Sequence, residues 1–103
     1  MSLGHVLKLV RINKGFNQKQ MAELLGISQN YLSLIESGKK QPTTDRISEL
    51  AKNLNISSDA LVFAASDVPQ ELNTKDKKDF ERLQKNIISL LLFELTGELK
   101  EIA

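Results

Sequence analysis

The sequence of 103 residues has no cysteine and a single histidine, His5. Without cysteine there is neither a disulfide nor a thiolate metal site, and one histidine alone completes no metal-ligand set, so no metal and no cofactor are expected. A cysteine-free chain also suits the reducing cytoplasm. Long apolar runs are missing too. The densest, IISLLLFEL at 87 to 95, falls far short of the ~20 residues that span a bilayer, and no basic-then-apolar export signal opens the chain. A cytoplasmic protein with no membrane partner is the reading. No stretch alternates apolar and polar residues for long enough to argue a strand. The glycines form no phosphate-cradling loop, because Gly15, Gly26 and Gly38 each fall at a helix end or turn. Carboxylates such as Asp76 and Asp79 sit among lysines on a solvated face, so nothing supports catalysis and the chain is read as a non-enzyme.

What is present is ordinary for a globular protein: 41% hydrophobic and 26% charged residues, enough for one compact core or a small domain with an appendage. The net charge of +1 hides a division. Residues 1–66 hold eight Lys/Arg against five Asp/Glu, and residues 67–103 hold six against eight. The basic surplus of the first part permits a polyanionic partner without establishing one.

Helical periodicity divides residues 1–66 into five short segments. Leu3, Val6, Leu7 and Val10 share a face over about 3–14, closed by Lys14-Gly15. Asn17 caps a second helix at 18–25, whose stripe is Met21, Ala22, Leu24 and Leu25. Ser28 caps a third. Thr43, after Pro42, caps a fourth with Ile47, Leu50, Ala51 and Leu54 on one side, and Ser57 or Ser58 starts a fifth that runs through Ala65. The fold class is therefore all-α. Residues 67–74 then read as a polar linker, and from Lys75 a sixth helical pattern runs towards Gly97 in a C-terminal element assigned to 75–103. Its residues 87–93 are apolar at six of seven positions, and a helix apolar on nearly all sides needs burial on nearly all sides. It can pack back onto the five helices or pair with its counterpart in a second chain. The intervening linker favours pairing, through Phe80, Leu83, Ile87, Ile88, Leu91 and Leu95.

The informative stretch is GISQNYLSLIESG at 26–38. Successive residues of a helix are turned by ~100°, which places Tyr31, Leu32 and Ile35 on one arc and Gln29, Asn30, Ser33 and Leu34 on the other. The outward set combines amides, a hydroxyl and an apolar group. An amide can pair twice with adenine, a hydroxyl adapts to several bases, and an apolar group can meet a thymine methyl. For any one of these residues, simple solvation explains as much. The register of two adjacent helices adds the decisive constraint. Counted from Gln18, the apolar residues Met21, Leu25, Ile27, Leu32 and Ile35 take places 4, 8, 10, 15 and 18, with Ala22 at 5 and Gly26 at 9. This is the helix-turn-helix pattern: a small residue where the helices cross, a glycine for the positive φ of the turn, and apolar places that seal the pair.

From Gly4 to about Ala65 the chain resembles the lambda-repressor-like (Cro/C1, or XRE) family of prokaryotic DNA-binding domains, through G4..L7..V10-R11...G15-F16-N17-Q18..M21-A22..L25-G26-I27-S28-Q29..L32..I35-E36-S37-G38-K39..P42-T43. The resemblance implies a five-helix bundle, here with an additional C-terminal helix. It also implies that the third helix enters the major groove of a double-stranded DNA operator, usually within a homodimer. Carried over position by position, Gln29, Asn30, Ser33 and Leu34 match the base-facing places. Leu34 departs from a place often held by Gln, Lys or Arg, and suits a thymine contact and a contact with the neighbouring helix equally well. Gln18 matches a phosphate-binding glutamine, and Tyr31, Ser37, Lys39 and Lys40 are the further backbone-contacting residues. Arg11 and Glu36 match a buried ion pair joining the first and third helices, whereas taken alone Glu36 reads as a solvated charge. The resulting expectation is a dimeric transcriptional repressor. The competing one is a protein-interaction module or antitoxin-type regulator whose C-terminal helix binds a partner protein.

Overall fold

The computed structural model describes residues 1–98. Six helices follow one another: α1 Leu3–Asn13, α2 Gln18–Leu25, α3 Gln29–Glu36, α4 Thr44–Leu54, α5 Ser58–Ala64 and α6 Thr74–Thr96. Among the described residues there is no strand. Each helix begins at a polar side chain that accepts from a backbone N–H three residues on: Ser2, Asn17, Ser28, Thr43, Ser57 and Asn73. Such caps satisfy donors that the first turn otherwise leaves unpaired. Asn17 does more, because its own N–H donates to the Gln20 side chain and completes a reciprocal box. The first helix stops one residue short of expectation, with Lys14 as its C-cap. The last ends at Thr96 and is followed by Gly97 at φ 76°; the end of the C-terminal element expected to reach residue 103 lies outside the described residues.

One buried cluster joins all six helices. Val6, Leu7 and Val10 of α1 meet Met21 and Leu25 of α2, Leu32 and Ile35 of α3, Leu50 and Ala51 of α4, and Leu61 of α5. The sixth helix belongs to the same cluster through Ile88, Leu91 and Leu92, and it lies against α5 and α1. Three further contacts fix it there. Gln84, 3% exposed, donates through Nε2 to the carbonyls of Phe63 (3.0 Å) and Ser66 (2.8 Å). The rings of Phe63 and Phe80 lie 5.0 Å apart. Lys14 Nζ donates to the carbonyl of Leu95 at 3.1 Å, a cation at the negative end of α6.

The face expected to pair with a second chain is therefore divided. Ile88 and Leu91 are buried in the chain's own core, Phe80, Ile87 and Leu95 are half-buried, and Leu83 is exposed. The reason is geometric. A helix apolar on several sides offers two stripes, and the stripe carrying Ile88, Leu91 and Leu92 is used internally.

Candidate nucleic-acid interface

The turn between α2 and α3 is built from the backbone outward. Gly26 adopts φ 71°, ψ 31°, a conformation that costs a residue with a Cβ but not glycine. A Cβ here would also come within 2.9 Å of Asn53 Nδ2, whose amide donates to the Leu25 carbonyl at 2.7 Å and ties the turn to α4. Ile27 N–H donates back to the Ala22 carbonyl at 3.0 Å, and Ser28 caps the next helix by accepting from Tyr31 N–H at 3.0 Å.

Leu32 and Ile35 anchor α3, at 0% and 1% exposure. On its other side α1 approaches so closely that a Cβ on Gly4 would collide with the carbonyl oxygen of Ile35. Glycine within α1 is thus required by the crossing rather than by φ. The end of α3 is held electrostatically. Arg11 forms a two-pronged ion pair with Glu36, Nε to Oε2 at 2.9 Å and Nη2 to Oε1 at 3.0 Å, with side-chain exposures of 16% and 5%. Its Nη1 donates to the Phe16 carbonyl, and Gln18 Nε2 donates to Glu36 Oε1 at 3.3 Å. Three helices, α1, α2 and α3, thus meet at one carboxylate, and the loop after α1 holds the guanidinium that pairs with it. Paired in this way, Glu36 presents little net charge to an approaching anion.

With its oily side fixed, α3 presents Gln29, Asn30 and Ser33 to solvent. Leu34 is half-buried, and its carbonyl accepts from the Ser37 hydroxyl (3.1 Å) and from the backbone N–H groups of Lys39 (2.9 Å) and Lys40 (3.1 Å). These bonds fold the chain after Gly38 so that Lys39 and Lys40, both exposed, follow directly on the end of α3. Gln18 is half-buried at the start of α2. Tyr31 is half-buried too, and the Arg46 guanidinium of α4 lies over its ring at 5.5 Å. Bonds to Glu49 and then to Tyr31 push Arg46 above its ordinary value, so it stays charged. The roles of Arg46 and Asn53 are not legible in the sequence, because both act across helices far apart in the chain and leave no periodic signal. The packing role of Gly4 is absent from the sequence analysis although a signal for it exists, a glycine inside an apolar stripe.

Two helices joined by a glycine turn, the second locked on its apolar side and polar on the other, define a helix-turn-helix protein. The comparisons agree: a family profile described as helix-turn-helix matches residues 7–61. The chain belongs to this family, of the Cro/C1 (XRE) type. It is similar to the HTH-type transcriptional regulator ImmR of Bacillus subtilis (strain 168), 42% identical over 62 residues that cover 60% of this chain and 49% of ImmR. It is 36% identical to the ImmF control region 10 kDa protein of Bacillus phage phi105, over 67% of this chain and 77% of that protein. It is also 28% identical to the Immunity repressor protein of the same phage, over 84% of this chain and 62% of the repressor. The chain thus spans about half the length of ImmR. No solved structure matches it significantly. Fold, motif and family profile agree on a helix-turn-helix domain of this type.

Proposed function

We propose that the protein is a dimeric transcriptional repressor that reads a double-stranded DNA operator in the major groove with α3. The observation carrying this reading is that Gln29, Asn30 and Ser33 stand exposed in a row on a helix whose opposite side and both ends are fixed by the chain itself. Side chains held on a rigid element keep their geometry when a groove closes around them, and amides and hydroxyls match the donor and acceptor pattern of base edges. Leu34, partly accessible, fits a thymine methyl. Lys39, Lys40, Ser37 and the Tyr31–Arg46 stack flank this row and would engage phosphates, as would Gln18 with the N–H groups that open α2. These contacts set register and supply salt-sensitive affinity, while the amides choose sequence. Arg11 and Glu36 act behind the surface, holding α3 at its angle. The names of the phage Immunity repressor protein and of ImmR support regulation of transcription by repression.

Selection from a pool of random DNA duplexes tests the reading. One recurrent sequence should emerge with two-fold symmetry, its half-sites about one helical turn, ~10 base pairs, apart. Enrichment of no sequence over the starting pool would count against it.

A further inference from the structure

We infer that α6 carries a self-association seam on its outward side, met by the same stripe of a second copy running antiparallel; this names the partner surface of the dimer proposed above. With Ile88, Leu91 and Leu92 inside the core, a second stripe remains. Leu83, Asn86, Leu90 and Phe93 follow one another at steps of three and four residues, the spacing of a heptad seam. All four are exposed, and the three apolar ones strongly so: Leu83 51%, Leu90 53% and Phe93 47%. Single exposed apolar residues need no explanation, but an aligned set on one helix face does.

Charge order selects a second copy as the occupant and sets its direction. Residues 75–85 hold five Lys/Arg against three Asp/Glu, whereas Glu94 is the only charged residue from 86 to 96. The helix is therefore basic towards its start and acidic towards its end, a pattern complementary to itself when reversed. A parallel partner would set like charge against like. An antiparallel one places Glu94 beside the basic turn of its counterpart and opposes the two helix dipoles. Greatest overlap of the stripe then puts Leu83 opposite Phe93 of the second copy and Asn86 opposite Leu90. Asn86, the polar member, weakens the seam and disfavours slippage along it. Since the stripe is short, association is reversible and concentration-dependent.

Sedimentation equilibrium of the full chain without DNA tests this. The expected result is a monomer–dimer equilibrium that Leu90→Glu weakens at least ~10-fold with an unchanged helical circular dichroism spectrum, and that Leu24→Glu, at an exposed position on α2, leaves intact. Leu83→Glu, at the other end of the stripe, should act like Leu90→Glu. Because the chain has no cysteine of its own, direction can be read by mixing equal amounts of Leu83→Cys and Phe93→Cys chains under reversible thiol exchange: the mixed disulfide should exceed the two symmetric ones together, beyond the one half that random pairing gives. A chain that stays monomeric at ~1 mM, a Leu90→Glu variant that associates like the parent, or a predominance of symmetric disulfides would overturn the proposal. Operator binding is measured separately, so a Leu90→Glu dimer that still binds its operator condemns the seam alone. A dimer without sequence-selective DNA binding condemns the operator reading alone.

Discussion

At the scale of single residues, the placement of α3 rests on one ion pair and one missing methyl group. Glu36 accepts from Arg11 and Gln18 while only 5% exposed. Truncating it strands a guanidinium whose remaining partner is the Phe16 carbonyl. Breaking a buried pair costs ~3–5 kcal/mol, and Glu36→Ala belongs at about 3 kcal/mol because Arg11 keeps 16% exposure. Urea unfolding should show this as a lowered midpoint; a midpoint equal to the parent would mean that the pair holds nothing. Gly4→Ala sets two effects against each other. Alanine gains about 1 kcal/mol of helix propensity over glycine, but its Cβ would meet the Ile35 carbonyl oxygen, a backbone atom that cannot rotate away. Overpacking of this kind costs about 1–3 kcal/mol or more, so the net effect is a loss, read as a lower melting temperature. Sequence reading placed Gly4 in the motif and matched Arg11 with Glu36, yet it could not foresee the role of Asn53, whose side chain reaches across from α4 to the turn.

At the scale of elements, legibility followed locality. Helix starts were readable where one polar side chain bonds three residues ahead, as at Asn17, Ser28 and Thr43, because the cap and its partner lie within one turn. The glycine turn was readable for the same reason. Docking of α6 was not, since its residues 87–93 are apolar on several sides and periodicity alone cannot say which stripe meets the core. Gln84 resolves the matter in three dimensions: buried, it donates to the carbonyls of Phe63 and Ser66. Gln84→Leu would keep the volume but take the amide donor from the Ser66 carbonyl, whereas the Phe63 carbonyl still accepts from the Ser66 hydroxyl and N–H, so the cost belongs at the lower end of about 1–3 kcal/mol. Thermal unfolding monitored by circular dichroism should register this loss, and an unchanged or raised transition would show that the amide does not pin α6.

At the scale of the whole molecule, the near-neutral charge conceals a basic first part, and its exposed Lys39 and Lys40 stand just past Ser37 and Gly38 at the end of α3. Removing either ammonium group should weaken binding to every duplex alike, because phosphates are the same in all of them. Lys39→Ala is expected to lower the slope of log affinity against log salt by about one; an unchanged slope would place that lysine away from the backbone. The outward residues of α3 should behave in the opposite manner, because a base contact matters only where the right base is present. Comparing parent and Gln29→Ala on the selected operator and on an unrelated duplex of equal length, at one salt concentration, tests the central claim most directly. The expected result is a loss of about 1–3 kcal/mol, roughly 5- to 150-fold, on the operator and almost none on the unrelated duplex. Equal affinity of the two proteins for the operator would contradict the assignment of α3 as the element that reads DNA.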